Sequence, residues 1–135
     1  MTKYEEKSEA LLREVNPELS WRVRQVLAAM MCLGYPMVVT NGNRTTVEQQ
    51  ALYAQGRTKP GKVVTNADGV KNKSNHQDAR AVDCTFLDAK GQPHWPDTAA
   101  DQPKWRAYGA CAKALGLAWG GDWKKADKPH VEMTK

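Results

Sequence analysis

Between Asn16 and Gly34, apolar residues recur every three to four positions. Leu19, Val23, Val26, Leu27, Met30 and Met31 form one stripe, which predicts an amphipathic helix buried along that side. Asn16 is a suitable N-cap with Pro17 in the first helical position, and Gly34 is a suitable stop. A shorter helix, SEALLREV, precedes it. The pattern then becomes extended in PMVVT, a strand ending in the turn NGN. Thr45 or Thr46 caps a third helix, VEQQALYAQGR, closed by Gly56. The next stretch, TKPGKVVTNADGVKNKSNHQD, is polar and too long for an idle connection in a compact domain. ARAVDCTFL is the strongest strand pattern, DAKGQPHWPDTAAD a loop, and QPKWRAYGACAKALGL an amphipathic helix stopped by Gly116. A Gly-rich turn, WGGDW, and a short strand around HVEM finish the chain. Helices on a small mixed or antiparallel sheet make an α+β fold, with residues 1–135 as a single domain.

Composition narrows the functional classes. An apolar share of 41% and a charged share of 26% are those of an ordinary globular protein. The longest apolar run, VLAAMMCLGYPMVV, is interrupted by Gly34 and Pro36 and is too short to cross a bilayer. The segment MTKYEEKSEALL carries acids and has no apolar h-region, so no signal peptide is expected. Lys and Arg outnumber Asp and Glu by 20 to 15, and the formal charge of +5 favours an anionic partner. These basic residues are scattered, and no helix-turn-helix, zinc-finger or RNA-binding sheet motif accompanies them. An anionic substrate or envelope surface is therefore expected, and nucleic acid is not. Cys32, Cys84 and Cys111 lie far apart without a CxxC pair, each among apolar or small neighbours. They read as reduced thiols packed as small hydrophobes.

The segment SNHQDARAVD raises the chemical question. Strand alternation puts Ala79, Ala81 and Asp83 on one face and Val82, Cys84 and Phe86 on the other. A carboxylate in such a strand is costly unless something pairs with it. The C-terminal strand repeats the arrangement, with His130 and Glu132 on one face and Val131 and Met133 on the other. Together His76, Asp83 and His130 supply two imidazoles and a carboxylate, leaving a fourth position for water, which is the donor pattern of a catalytic zinc site. Pairing of Asp83 with Arg80 or Arg44 is the alternative, and spacing alone does not choose between them. Other polar groups read as structural. His94 is solvated, Trp119 and Trp123 are packing anchors, Asp122 bonds within its own turn, and Gln49 and Arg57 support loop geometry.

SNHQDARAVD resembles the SxHxxGxAxD signature of the zinc D,D-carboxypeptidase and L-alanyl-D-glutamate endopeptidase family, whose members cleave peptidoglycan stem peptides. NGNRTTVEQQALYAQGRTKPGKVVTNADG is similar to the segment preceding that signature in phage endolysins, and GLAWGGDWKKADKPHVE resembles their C-terminal signature. The resemblance covers about residues 10 to 133. It implies a zinc D,D-peptidase (hedgehog-like) fold with His76, Asp83 and His130 as Zn2+ ligands. It also implies Asp127 as the catalytic carboxylate, Arg44 as a transition-state clamp and Ser74 as a substrate-binding residue. Glu132 is the competing base, or a partner for a ligand histidine.

The implied activity is a zinc-dependent peptidase of the peptidoglycan stem peptide, an L-alanyl-D-glutamate endopeptidase serving host lysis. A D-alanyl-D-alanine carboxypeptidase is the alternative within the family, and a non-catalytic zinc or cell-wall-binding module the alternative outside it. Asp127 together with Arg44 favours the enzyme, because a binding module needs no general base. The expected setting is a monomer in the host bacterial cytoplasm, without a signal peptide, reaching the anionic cell-wall surface through a membrane pore. Ala79 stands where the family usually has Gly, at a cost on the order of 1 kcal/mol if the backbone there has positive φ.

Overall fold

The computed structural model describes residues 1–44, 46–65, 67–70 and 77–134. Helix α1 (Lys3–Arg13) starts at a reciprocal cap, with Thr2 Oγ1 accepting from the Glu5 N–H and the Glu5 carboxylate accepting from the Thr2 N–H. Helix α2 (Pro17–Cys32) starts at Asn16, whose side chain accepts from the Glu18 N–H at 2.9 Å, and ends before Gly34 at φ +88°. Strand β1 (Met37–Asn41), helix α3 (Thr46–Ala54) and strand β2 (Ala81–Leu87) follow. Next come β3 (Pro93–His94), α4 (Gln102–Ala114), β4 (Leu117–Trp119) and β5 (His130–Met133). The strands form one sheet in the order β1-β2-β5-β4, with β3 also paired to β2, and every pairing is antiparallel. The α+β expectation holds. β3 and β4 lie in stretches that the sequence pattern assigns to loop and turn.

The core joins Leu19, Val23, Val26 and Met30 of α2 to Trp105 and Tyr108 of α4, over Val82, Cys84 and Phe86 of β2. Each large apolar side chain fully buried there contributes roughly 1.5–3 kcal/mol. The predicted α2 stripe is narrower than its spacing suggests, since Leu27 is only partly buried and Met31 is exposed. Among the cysteines only Cys84 is fully packed. Burial pushes its thiol pKa up to about 12, while Cys32 is exposed and Cys111 partly buried. The buried Ser8 hydroxyl of α1 accepts the Val39 N–H at 2.9 Å, which satisfies a backbone group of the edge strand β1. Among the described residues, no helix is long and apolar enough to cross a membrane.

Candidate active site

Antiparallel register brings the site together. Asp83 of β2 sits directly opposite His130 of β5, and Ala81 sits opposite Glu132. Side chains that face each other across a pair share one face of the sheet, so Asp83, His130 and Glu132 lie on the same face as the small Ala81. The intervening Val82 and Val131 also face each other and belong to the core. A polar face and an apolar face thus alternate along the same two strands.

His130 is buried, and both ring nitrogens are engaged. Nδ1 lies 3.3 Å from Asp83 Oδ1 and 3.9 Å from Asp127 Oδ2, while Nε2 lies 2.7 Å from Glu132 Oε1. Burial opposes a charge on the ring. Hydrogen bonds with Asp83 and Glu132, and the charges of Asp83 and Asp127, outweigh it and raise the pKa from 6.5 to about 9. The Trp123 ring packs at 4.9 Å from the imidazole, tilted by 48°. One ligand atom from each of Asp83, Asp127 and His130 lies within 4.8 Å of the others. Ligand atoms about 2 Å from a shared zinc stand at most about 4 Å apart, and both distances from Nδ1 meet that limit. These three residues could hold a metal ion, and the nitrogen–oxygen donor set suits zinc.

The WGGDW turn is the scaffold under this cluster. Gly120 lies beneath the Asp127–His130 turn, where its carbonyl accepts the Asp127 N–H at 2.8 Å. A Cβ at Gly120 would stand 2.3 Å from the Asp127 carbonyl oxygen, and one at Gly121 would stand 2.1 Å from the Trp119 ring. Trp119 is a packing anchor, as its position suggested: it is buried, and its indole donates to the Lys128 carbonyl at 2.7 Å. The Pro129 carbonyl accepts from the Tyr108 hydroxyl at 2.8 Å and from the Cys84 N–H at 3.0 Å, fixing the backbone one residue before His130. Asp122 does not bond within its own turn; it pairs with Lys113 at 3.0 Å, reached across from α4.

Arg44 enters from the β1–α3 connection. Its Nη1 donates to Gln49 Oε1 at 2.5 Å, and the fully buried Gln49 amide donates to Thr65 Oγ1 and to the Ala67 carbonyl. Gln49 thus ties the arginine to the long polar loop. Burial lowers the Arg44 pKa, opposed by the carboxylates of Asp83, Glu48 and Asp127, so its charge acts on Asp83 and Asp127. Asn41 Nδ2, from the NGN turn, adds a long 3.5 Å contact to Asp83 Oδ2, which sequence reading did not single out. Arg80, the alternative partner for Asp83, donates instead to the Thr134 carbonyl. Arg57 donates back to the Tyr53 carbonyl at the end of α3 and stacks on the Tyr53 ring. His76 and Ser74 lie outside the described residues. Ala79 has φ 57°, so the position does require the conformation that glycine favours.

Residues 68–133 match a peptidase family model described as D-alanyl-D-alanine carboxypeptidase. Over 126 residues the chain is 36% identical to the peptidoglycan L-alanyl-D-glutamate endopeptidase CwlK of Bacillus subtilis (strain 168), spanning 89% of this chain and 74% of that protein. The fold resembles the L-Ala D-Glu endopeptidase ChiX of Serratia marcescens with a TM-score of 0.69 and 25% identity, over 97% of this chain and 89% of that one. It also resembles a mutant of the vancomycin resistance D,D-pentapeptidase VanY, in complex with Zn(II), with a TM-score of 0.61. That likeness, at 18% identity over 90% of this chain and 73% of the other, bears on the fold alone.

Proposed function

The chain belongs to the peptidase family that takes in D-alanyl-D-alanine carboxypeptidases and L-alanyl-D-glutamate endopeptidases, and we propose that it is a zinc-dependent peptidoglycan peptidase cutting between L-alanine and D-glutamate of the stem peptide. The observation that carries the chemistry is the buried His130 Nδ1 facing both Asp83 and Asp127, within the field of Arg44. The likeness to CwlK along most of the chain supports the choice of bond.

In this reading His130, Asp83 and His76 would hold the ion. Bound zinc would supply a Lewis acid for the scissile carbonyl and a water whose pKa is near 7. With Nε2–H hydrogen-bonded to Glu132, the Nδ1 atom of His130 would serve as the ligand. Asp127 is the general base rather than a ligand, because its side chain is 50% exposed whereas that of Asp83 is 17% exposed. A carboxylate open to substrate can take a proton from the attacking water and return it to the leaving nitrogen. Arg44, steadied by Gln49, stabilises the negative charge that develops on the carbonyl oxygen. Ser74 contributes to binding the substrate.

Digestion of purified peptidoglycan followed by mass spectrometry of the products tests the assignment. New L-alanine C-termini and D-glutamate N-termini are expected, whereas released D-alanine would mark the carboxypeptidase. Asp127→Asn should retain zinc and the fold and lose at least ~100-fold in kcat. Near-normal turnover in that variant would move the base to Glu132.

A further inference from the structure

The turn that follows α3 is firmly held, yet it keeps its apolar side chains in water. Its backbone folds back on the helix end. The Thr58 and Lys59 N–H groups donate to the Ala54 carbonyl at 2.9 and 3.0 Å, and the Gly56 N–H donates to the Lys59 carbonyl at 2.9 Å. The Gln55 amide donates to the Lys62 carbonyl at 3.0 Å and closes the far side of the turn. Gly56, at φ +79°, lets the returning chain pass so near that a Cβ there would stand 2.6 Å from the Val63 nitrogen. Residues 56–64 are all exposed, Val63 by 54% and Val64 by 55%. One exposed valine is ordinary. Two adjacent ones on a braced backbone forgo burial that a looser loop could recover by folding over them.

The same turn collects positive charge. Arg57, Lys59 and Lys62 lie close together in sequence, and no acid occurs between Glu48 and Asp68. The Arg57 guanidinium is held 3.9 Å from the centre of the Tyr53 ring while donating to the Tyr53 carbonyl at 2.7 Å. Cations around a small apolar tip match the boundary of an anionic bilayer. Headgroup phosphates there meet the ammonium and guanidinium groups, and the acyl region takes the apolar side chains. A soluble polyanion would use the cations and leave the valines in water. The valines therefore decide for lipid.

We propose that the turn over residues 55–64 is a peripheral docking element for an anionic lipid surface, with Arg57, Lys59 and Lys62 at the headgroups and Val63 and Val64 entering the interface. The chain continues from Val64 into Thr65, whose hydroxyl accepts from the Gln49 amide that holds Arg44. Docking thus turns the Arg44 side of the molecule toward the bilayer. The interaction stands apart from the peptidase reading and is measured without turnover.

Flotation of the full chain with vesicles of equal parts phosphatidylglycerol and phosphatidylcholine, against vesicles of phosphatidylcholine alone, tests the idea. Each basic residue near an anionic surface strengthens binding roughly fivefold, so three should give about 100-fold tighter binding to the anionic vesicles at low salt. Lys59→Gln with Lys62→Gln should reduce that preference to about fivefold. Val63→Ser with Val64→Ser should weaken binding to anionic vesicles about tenfold and leave binding of inorganic polyphosphate unchanged. Equal binding to the two kinds of vesicle would overturn the proposal. Unchanged vesicle binding in the valine variant would also overturn it, and would make the turn a site for soluble polyanions. Lys124→Gln with Lys125→Gln, at exposed positions outside the turn, should keep most of the vesicle binding. Loss of binding in that variant, with none in the turn variants, would place the lipid contact elsewhere and overturn the assignment.

Discussion

The charges of the site converge on His130, which has carboxylates at both ring nitrogens and little access to water. Burial opposes a proton on this ring, but hydrogen bonds to Asp83 and Glu132 and the charges of Asp83 and Asp127 hold it there, and the pKa rises from 6.5 to about 9. A pKa raised on folding means that the folded chain binds the proton more tightly than the unfolded one. The resulting stabilisation is complete below pH 6.5, declines as the pH rises, and is lost once the pH has passed through about 9. The urea midpoint of the chelated protein should therefore fall across that window, and His130→Asn should flatten the decline. A midpoint independent of pH in the unaltered chain would show that the carboxylates do not hold a proton there. Zinc must displace the same proton, so binding should release it to the buffer. Ala79, nearby in sequence to β2, is a second residue shaped by its place: at φ 57° it carries strain on the order of 1 kcal/mol, and its carbonyl accepts the Asn16 N–H at 2.9 Å.

The element that controls the geometry is the turn between β4 and β5. Its glycines serve close approach, because a Cβ at Gly120 would lie 2.3 Å from the Asp127 carbonyl oxygen and 3.0 Å from His130 Cβ. Backbone cannot rotate away as a side chain can, so Gly120→Ala must displace the proposed base, the proposed ligand, or both. A misplacement of about 1 Å can cost about 100-fold in rate. We expect that loss in kcat with the far-ultraviolet circular dichroism retained, and full activity would show that the turn does not set the site. The glycine pair was visible in the sequence, but the purpose of Gly120 needed the fold, since Asp127 and His130 are not its chain neighbours, whereas Gly121 meets the nearby Trp119 ring. Helix α2 was legible because Asn16, Pro17 and Gly34 mark its ends chemically. Strands β3 and β4 were not, because two or three residues cannot display an alternation. The exposure of Met31 shows the limit of periodicity, which gives a direction around a helix but not how far its neighbours reach. Asp83 and His130 could be placed on strand faces from alternation, whereas their pairing depends on a register that only the folded sheet defines. The restraint on the backbone around Trp95 was invisible for the same reason: Thr85 of β2 donates to the His94 carbonyl and Trp105 of α4 to the Pro96 carbonyl.

At the scale of the whole molecule, most of the surplus of basic residues lies away from the cluster around His130, which sets Arg44 against the described acids Asp83, Asp127 and Glu132. Lys124 and Lys125 are exposed on the segment between the WGGDW turn and Asp127, and Lys71 and Lys73, outside the described residues, precede the SNHQDARAVD motif in sequence. We propose that these four lysines hold the enzyme against an anionic wall. Exposed charges act through a field that salt screens, with a Debye length of ~10 Å at 0.1 M. Added salt should therefore slow digestion of intact wall while changing turnover of a short soluble stem peptide much less. Replacing the four lysines with glutamine should lower the rate on wall at low salt and remove most of its salt dependence. Glutamine preserves much of the side chain's length and polarity, so the comparison isolates charge from bulk. If salt slowed both substrates equally, the charges would be acting on the site or on folding instead of on docking.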